Sequence, residues 1–587
     1  MTSMTRKQRV GLIKTSLGIE KADVVFTDGQ LINVYSGEII PNSSVAFKGD
    51  RIAHVGEINQ ELIGEDTVVH EIENRFMAPG FVDGHTHLDG IFQVRSYMEY
   101  ALAHGNTTAV SELAMIANAF GEKGVEFFLM ETEDLPLRVF VLAPPLVPPF
   151  PELETSRPFS RSFFRKVLEM DRCVGIGETY WPRIVGLEKR ALEQYQLAEI
   201  LGKTKEGHAA GARSKRLAAY AAAGTSSCHE ATNLEEALDR LRLGIAVMIR
   251  EGYVRRELEA ISGIARQPFD THNVMMVTDL ADPEELVQTG GMNLLLKKAV
   301  QLGFDPVKAI QMLTINVARY FGLRDLGGLA PGKLADMVIL DDLEDFKCSQ
   351  VWAGGRLAAQ DGHLEIDQPT FEYPKEAVRS VTVAMSDQDV FRIPVRNKES
   401  KIRVVKIENE TITRETICRI GSVEGKWVPE PENDILKTAV FNKSLSATRP
   451  SLSFVKGVGL RKGAVATSII WDTNNILVIG TSDMEMACAF KRIKSLGGGI
   501  VVVKEEEVIA QLPLPICGII SQEPLQDIVD KMKKVENACR RLGSRLTRPI
   551  LTFQTLPFTG LPYLRPTDKG LADIRKGRLV SLEVEDG

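Results

Sequence analysis

Short apolar runs alternate with longer helical stretches over residues 76–322, and this alternation constrains the fold more than any other feature. The runs include residues 138–143, 173–177 and 273–277, and the helical stretches include residues 234–243 and 292–302. Such alternation is typical of parallel strands joined by crossover helices, and eight such units occupy about 250 residues. The sequence therefore predicts a TIM-like (β/α)8 barrel over residues 76–322.

Segments of β character flank the predicted barrel. Residues 22–75 contain apolar runs separated by turn residues, and the Asp-Gly pair that begins at Asp28 predicts a hairpin between two of them. The turn-rich segment 327–340 returns to the same character after the barrel. We expect residues 1–75 and 323–365 to form one small β-sandwich domain into which the barrel is inserted.

Residues 366–587 mix helical and strand patterns and form a third region. Residues 483–496 and 525–542 have helical spacing, and residues 497–504 have the pattern of a turn followed by a strand. This region is predicted to be a C-terminal α+β domain. The fold class as a whole is therefore α/β, with the barrel as its largest unit.

Charge and hydropathy exclude several classes of partner. The net charge is −7, whereas binding to nucleic acid requires clustered Lys and Arg, so we expect no nucleic-acid partner. No run approaches about 20 apolar residues, so no membrane span is expected, and the basic N-terminus lacks the apolar core of a secretory signal. Seven cysteines without a Cys-x-x-Cys pair fit free thiols. We expect a cytoplasmic protein.

The nine histidines are the first candidates for chemistry, and none of them follows residue 363. His85 and His87 lie at the end of a strand-like run that begins at Phe81. Alternate residues of a strand face the same side, so both imidazoles can hold one metal ion at the end of the barrel that carries catalytic groups. The alternative is two surface histidines in a loop.

Four more polar residues stand at the trailing ends of short runs, namely Glu178, His208, His229 and Asp279. The run before His208, residues 203–207, has only a weak strand pattern. Four histidines and two carboxylates on one barrel rim suit one or two divalent ions, and Glu178 is suited to bridge two. Each residue has a structural alternative. Glu178 can pair with Arg183, His208 can lie at the surface, and His229 and Asp279 can lie in the caps of the helices that follow. Taken together, the set favours the metal site.

Several motifs resemble those of a known family. Residues 79–87, Pro-Gly-Phe-Val-Asp-Gly-His-Thr-His, resemble the first-strand motif of the amidohydrolase superfamily, and residues 329–340 resemble its closing β motif. Other stretches resemble the bacterial and archaeal adenine deaminases, and those near the C-terminus are the most specific. These stretches are residues 175–178, 207–208, 220–230, 248–252, 313–323, 511–518 and 567–573. The resemblance covers the chain from about residue 20 to residue 575.

The resemblance implies a site and a reaction. The implied metal ligands are His85, His87, Glu178, His208, His229 and Asp279. One or two divalent ions are implied, Mn or Fe with Zn as an alternative, together with an activated hydroxide that attacks C6 of adenine and releases ammonia. Asp279, Glu178 and His208 are the expected catalytic residues; Asp279 would move the proton, and His208 or His229 would polarise the substrate. The implied partner is a purine-like small molecule, and family members are commonly homo-oligomers.

The chain also departs from the family pattern near the substrate. The family carries a second acid after the metal aspartate, a later Gly-His pair and a His-Asp-Ser-His-Asn stretch. This chain has instead Thr-Asp-Leu-Ala-Asp at residues 278–282, Gly-Gly-Met at residues 290–292 and Trp-Asp-Thr-Asn-Asn at residues 471–475. Two alternatives therefore stay open. One is hydrolysis of another aminopurine, a pterin or a cyclic amide, and the other is a catalytically silent metal-binding paralogue.

Two pairs of polar residues are further candidates for substrate contact. Arg250 and Glu251 follow a strand-like run, and we expect them either to bind polar edges of the substrate or to form structural ion pairs. Asp472 and Asn475 are expected either to reach over the mouth of the barrel or to serve as turn residues.

Overall fold

The computed structural model describes residues 4–368, 370–378, 380–383, 388–395, 399–443 and 449–584. The first elements are α1 (Arg6–Ser16), β1 (Val24–Asn33), β2 (Glu38–Lys48), β3 (Arg51–Gly56), β4 (Val68–Glu71) and β5 (Phe76–Pro79). The predicted hairpin at Asp28 is wrong, because β1 runs through this residue as one strand. Asp28 has a φ of 59°, and the register between β1 and β2 shifts beside it, so the Asp-Gly pair forms an irregularity within the strand.

The central unit is an eight-stranded parallel barrel. Its strands are β6 (Phe81–Thr86), β7 (Asn106–Ser111), β8 (Arg138–Ala143), β9 (Cys173–Tyr180), β10 (Thr204–His208), β11 (Ser227–Cys228), β12 (Ala246–Arg250) and β13 (Val274–Val277), in this order around the sheet. The backbone N–H of Asp279 donates to the His85 carbonyl at 3.0 Å, which joins the last strand to the first. The barrel predicted from the sequence is confirmed.

Helices follow the barrel strands along the chain. They are α2 (Val94–Ala103), α3 (Ala114–Glu131), α4 (Arg161–Leu168), α5 (Trp181–Val185), α6 (Lys189–Ile200), α7 (Ser214–Ala222), α8 (Leu234–Arg242), α9 (Leu258–Ile261), α10 (Pro283–Gln288), α11 (Met292–Gln301), α12 (Pro306–Met312) and α13 (Ile315–Tyr320).

The two faces of β12 show how the sequence fills this architecture. Ala246 and Met248 pack with residues of other barrel strands in one apolar cluster, whereas Val247 and Ile249 pack with helical residues in a second cluster. Adjacent side chains of a strand point to opposite faces, so a continuous apolar run fills the barrel interior and also anchors the outer helices.

Strands after the barrel complete the sheet that begins before it. They are β14 (Met337–Leu340), β15 (Cys348–Ala353), β16 (Arg356–Gln360) and β17 (His363–Leu364). Strand β14 pairs with β5 in antiparallel register, with Met337 opposite Pro79. The resulting sheet has the order β17-β16-β15-β14-β5-β1-β2-β3, and β4 pairs with β1. The barrel is therefore inserted in a β unit built from both sides of it, as predicted.

The C-terminal region has mixed α and β structure. Its helices are α14 (Lys375–Val378), α15 (Asp483–Leu496), α16 (Leu525–Arg541) and α17 (Pro549–Thr555). Its strands are β18 (Ile393–Pro394), β19 (Glu399–Ile407), β20 (Thr413–Val423), β21 (Lys426–Trp427), β22 (Ile435–Phe441), β23 (Ser451–Lys456), β24 (Ala464–Thr467), β25 (Ile476–Gly480), β26 (Gly499–Lys504), β27 (Glu507–Pro513), β28 (Leu564–Thr567), β29 (Gly570–Asp573) and β30 (Arg578–Val580). Strands β18 to β27 form a ten-stranded sheet, and β28 to β30 form a small one.

The ends of α15 show why the sequence pattern located this helix well. The Ser482 side chain accepts a hydrogen bond from the Glu485 N–H at the first turn, and Gly497 ends the helix with a φ of 77°. A serine N-cap and a left-handed glycine are the preferred residues at these positions. All seven cysteines are free thiols, as expected. Within the described residues, none of the helices has both the length and the apolar composition that a membrane crossing requires.

Candidate metal centre

Two histidines and two carboxylates meet at the carboxyl ends of the barrel strands. His85 lies in β6 and His87 just after it, Glu178 lies in β9, and Asp279 follows β13. Nε2 of His85 lies 3.4 Å from Oε1 of Glu178 and 3.5 Å from Oδ1 of Asp279. Nε2 of His87 lies 3.6 Å and 3.5 Å from the same two oxygens. These four side chains place one donor atom each within 4.8 Å of the others.

A second group of donors shares Glu178 with the first. Donor atoms of Glu178, His208 and His229 also lie within 4.8 Å of one another. Nε2 of His229 is 3.1 Å from Oε1 of Glu178, and the ring of His229 stacks on that of His85 with centroids 4.3 Å apart. The structure thus brings all six predicted residues together, with Glu178 common to both groups.

The spacing and the unsatisfied atoms of this cluster fit a divalent metal ion. Ligand atoms about 2.1 Å from a tetrahedral ion lie about 3.4 Å from each other, and the nitrogen–oxygen distances around His85 and His87 are 3.4–3.6 Å. Among the described residues, both ring nitrogens of His85 and Nδ1 of His87 are buried without a hydrogen-bond partner. Buried polar atoms are rarely left without a partner, so this donor set is suited to a cation.

The charges of the two carboxylates support the same conclusion. Burial alone would raise the pKa of Glu178, but His229, His85 and His87 hold it well below its ordinary value. Burial likewise opposes ionisation of Asp279, and its histidine neighbours and Arg250 hold its pKa well below the ordinary value. Both groups are therefore anionic at neutral pH, and an enclosed pair of carboxylates attracts a divalent cation.

The structural alternatives considered for four of the six residues do not apply. Arg183 pairs with Glu152 at 2.9 Å and with Glu188 at 3.3 Å, and no described ion pair joins it to Glu178. Asn233 caps helix α8 after His229, and Asp282 caps helix α10 after Asp279. His208 is not at the surface either, since only 4% of it is exposed.

Two buried acids that the sequence analysis did not select contact residues of the cluster. Oε1 of Glu112 accepts the backbone N–H of Glu178 at 2.8 Å. Oδ2 of Asp89 accepts the backbone N–H of Ile116 at 3.0 Å, and its Oδ1 lies 3.8 Å from Nδ1 of His87. Groups that orient metal-binding side chains commonly make such contacts. Asp89 lies two residues after His87 and was within reach of pattern reasoning, whereas Glu112 had no signal of its own.

Arg250 forms a buried hub of ion pairs. Its Nε and Nη2 donate to the two oxygens of Glu257 at 2.9 Å each, and its Nη1 donates to Glu230 at 2.5 Å and to Asp279 at 3.3 Å. Burial lowers the pKa of Arg250, but the surrounding carboxylates hold it well above its ordinary value. The ion-pair interpretation therefore describes Arg250, which also lines the pocket.

Glu251 forms the structural ion pair that was one of its two expected roles, and Glu230 is a site residue that the sequence analysis did not select. Glu251 pairs with Lys298 at 3.2 Å and accepts the Leu258 N–H, so its role is structural. Glu230 lies in the site, with its Oε1 3.4 Å from Nε2 of His208 and 3.6 Å from Nε2 of His229. Its position directly after His229 at the end of a barrel strand was the signal for it.

A pocket opens above the cluster. Its lining combines barrel residues with residues of the C-terminal region, namely His87, Glu178, His208, His229, Glu230, Arg250, Val254, Arg255, Asp279, Thr411, Trp471, Asp472, Thr555, Phe558 and Leu561. Asp472 lies at the mouth of the barrel, which was one of its two predicted positions; the other was a turn. Asn475 instead accepts the Lys443 N–H and donates to the Thr155 carbonyl.

Comparisons with known proteins cover almost the whole chain. Residues 76–358 match the amidohydrolase family, and residues 410–578 match the adenine deaminase C-terminal domain. An adenine deaminase of Clostridium botulinum (strain 657 / Type Ba4) is 34% identical over 584 residues, which are 98% of this chain and 97% of the relative. An adenine deaminase of Moorella thermoacetica is 35% identical over 581 residues, 97% of each chain.

A more distant similarity comes from a solved structure. The β-aspartyl dipeptidase of Fervidobacterium islandicum AW-1, in complex with a β-Asp-Leu dipeptide, matches with a TM-score of 0.47 and 16% sequence identity. The match covers 60% of this chain and 99% of that one.

Proposed function

Because the chain belongs to the adenine deaminase family of the amidohydrolases, we propose that it hydrolyses adenine to hypoxanthine and ammonia. The observation that carries this proposal is the shared position of Glu178, which lies in both donor groups and lines the pocket. A flat, neutral purine base suits a pocket whose walls include Trp471 and Phe558.

The six predicted residues would hold the metal in two sets. His85, His87 and Asp279 with Glu178 form one set, and His208 and His229 with Glu178 form the other. A bound divalent ion lowers the pKa of a water molecule and so supplies a nucleophile at neutral pH. We propose Mn or Fe as the native metal, with Zn as the alternative, since imidazole and carboxylate donors accept all three.

Asp279 is the proposed proton carrier. Its Oδ1 faces His85 and His87, so the other oxygen, Oδ2, is the one that takes the proton of the attacking water and delivers it to the departing amino nitrogen. Arg250 donates to Oδ2 at 3.3 Å and keeps the carboxylate turned toward the pocket. C6 of the purine gains oxygen, and the C6–N6 bond breaks with release of ammonia.

His208 is the proposed group that polarises the substrate. Its imidazole lines the pocket, and the ring of Tyr180 packs against it with centroids 4.6 Å apart. Oε1 of Glu230 lies 3.4 Å from its Nε2 and helps to fix the orientation of the ring. Glu178 would complete the catalytic set by holding the two donor groups next to each other.

Ammonia release from adenine tests the proposal directly. Protein reconstituted with Mn or Fe should release one ammonia per adenine consumed, and the His85→Ala variant should lose at least a hundredfold in kcat. His363→Ala is the matched control, because His363 is exposed in β17, far along the chain from the cluster. Metal bound at full occupancy without turnover of adenine would favour a silent paralogue. Turnover of a pterin or a cyclic amide instead would favour a different amidohydrolase.

Cellular location and oligomeric state are further parts of this proposal. We propose that the enzyme acts in the cytoplasm on the free base and that it forms a homo-oligomer. Light scattering of the purified protein would report the mass in solution against 64.9 kDa for one chain.

A further inference from the structure

The segment of residues 471–475 connects the C-terminal region to the barrel above the pocket. The backbone N–H of Trp471 donates to the Gln554 carbonyl at 3.0 Å. The side-chain amide of Asn474 donates to the Met115 carbonyl at 2.9 Å, and that of Asn475 donates to the Thr155 carbonyl at 3.0 Å. Contacts on both sides fix the backbone here, so the side chains of Trp471 and Asp472 have defined positions in the pocket wall.

Trp471 presents a polar atom that lacks a partner. Its side chain lines the pocket and is only 6% exposed, and its ring packs beside His87 with centroids 5.7 Å apart. Within the described part of the chain, no acceptor faces its indole Nε1, which is buried. Leaving a buried donor unpaired is costly, so an acceptor on a bound ligand is the natural partner for this N–H.

Asp472 offers the complementary group one residue later. It also lines the pocket and is 7% exposed. The Tyr180 hydroxyl donates to its Oδ2, which orients the carboxyl group and leaves Oδ1 to accept a second hydrogen bond. Trp471 and Asp472 therefore contribute a donor and an acceptor to the lining of the same pocket.

We propose that Trp471 and Asp472 determine specificity by binding the ligand edge that pairs a ring-nitrogen acceptor with a neighbouring N–H donor. This inference rests on the proposed function, because in a free purine base that edge consists of N3 and N9–H. The indole N–H donates to N3, and the Asp472 carboxyl accepts from N9–H. A substituent on N9, as in any nucleoside, removes the donor and meets the carboxyl group.

Binding of the reaction product measures this contact without turnover. Calorimetric titration of the metal-loaded enzyme gives the Kd of hypoxanthine, 3-deazahypoxanthine and 9-methylhypoxanthine. The 3-deaza ratio and the 9-methyl ratio are the Kd of each analogue divided by the Kd of hypoxanthine. Wild type should bind the 3-deaza and 9-methyl analogues about tenfold more weakly than hypoxanthine, since one hydrogen bond is lost in each case. Trp471→Phe should abolish the 3-deaza ratio and keep the 9-methyl ratio, and Asp472→Ala, which removes the acceptor, should do the reverse.

Two further variants separate recognition from a loss of structure. Trp471→His keeps a ring N–H and should retain the 3-deaza discrimination. Trp427→Phe is the matched control, because Trp427 is another buried tryptophan whose Nε1 lacks a described partner but which lies outside the pocket lining, and it should change neither ratio.

The outcomes for the inference and for the proposed function are distinct. Adenine turnover together with ratios near one in wild type, or with ratios that neither variant changes, would overturn the inference alone. The predicted ratios without any ammonia from adenine would overturn the proposed reaction and leave the recognition pair in place.

Discussion

Oε1 of Glu178 lies 3.1 Å from Nε2 of His229, although 51 positions separate the two residues in the numbering of the chain. The same carboxylate oxygen lies 3.4 Å from Nε2 of His85. One side chain therefore holds together donors from three different barrel strands, and the predictions that follow depend on this position.

Replacing Glu178 by Gln should remove the shared ligand with little change in shape. A neutral amide lacks the charge that two donor groups share, so we expect metal content to fall by at least half after dialysis and kcat to fall at least a hundredfold. Elemental analysis and ammonia release measure the two effects. Glu188→Gln is the control, because Glu188 pairs with Arg183 outside the pocket. Full metal content and normal kcat in Glu178→Gln would contradict the assignment.

Chelation should destabilise the protein as well as inactivate it. A ligand present at a hundred times its Kd stabilises the folded state by about 2.7 kcal/mol, which corresponds to roughly 5–10 °C in Tm for a unit of the size of the barrel. We expect differential scanning fluorimetry to show a decrease of this size after EDTA treatment, and its recovery when Mn is added back. An unchanged Tm in chelated, metal-free protein would show that the cluster holds no stabilising ion.

Arg250→Lys should cost both stability and activity. Lysine keeps the charge but cannot make the paired contact with both oxygens of Glu257 while also reaching Glu230 and Asp279. Incomplete pairing of buried carboxylates is expensive, and loss of one partner costs about 3–5 kcal/mol. We expect a lower Tm and a tenfold or larger decrease in kcat, measured on protein whose metal content matches wild type. Wild-type values for both would mean that the hub is dispensable.

Glu131 should make stability depend on pH. Burial raises the pKa of Glu131 from 4.5 to about 7, while Val94 donates its N–H and Tyr373 its hydroxyl to the carboxyl group. The folded state keeps the proton that the unfolded state loses, so the contribution to stability is complete below pH 4.5 and is lost as pH rises toward 7. It amounts to about 3 kcal/mol at most.

The Glu131→Gln variant isolates this contribution. Glutamine cannot ionise, so the Tm of the variant relative to wild type should rise between pH 5 and pH 8. Thermal unfolding at both pH values measures the change. A constant difference in Tm between the two proteins would show that Glu131 does not titrate in this range.

The barrel and its catalytic rim could be predicted because local patterns encode them. Strands such as β8 and β13 are continuous apolar runs, and Asp279 comes shortly after β13. Parallel strands place their carboxyl ends together, so topology converts a position along the chain into a position in space. Helix α15 was located equally well because Ser482 and Gly497 are typical residues at the two ends of a helix.

Residues outside this logic were missed or misread. Asp28 lies in a strand because pairing with β2 overrides the turn preference of Asp-Gly. Glu112 supports Glu178 through a contact between two strands, and Phe558 reaches the pocket from a distant segment. The place of Phe558 depends on how the C-terminal region packs on the barrel, and no periodicity in the sequence reports that packing.

Anomalous diffraction from crystals of the Mn-loaded protein tests the central claim most directly. We predict density beside Glu178, within coordination distance of His85, His87 and Asp279, and a second peak toward His208 and His229 if two ions bind. Anomalous density only at other sites, with these side chains left uncoordinated at saturating Mn, would contradict the account.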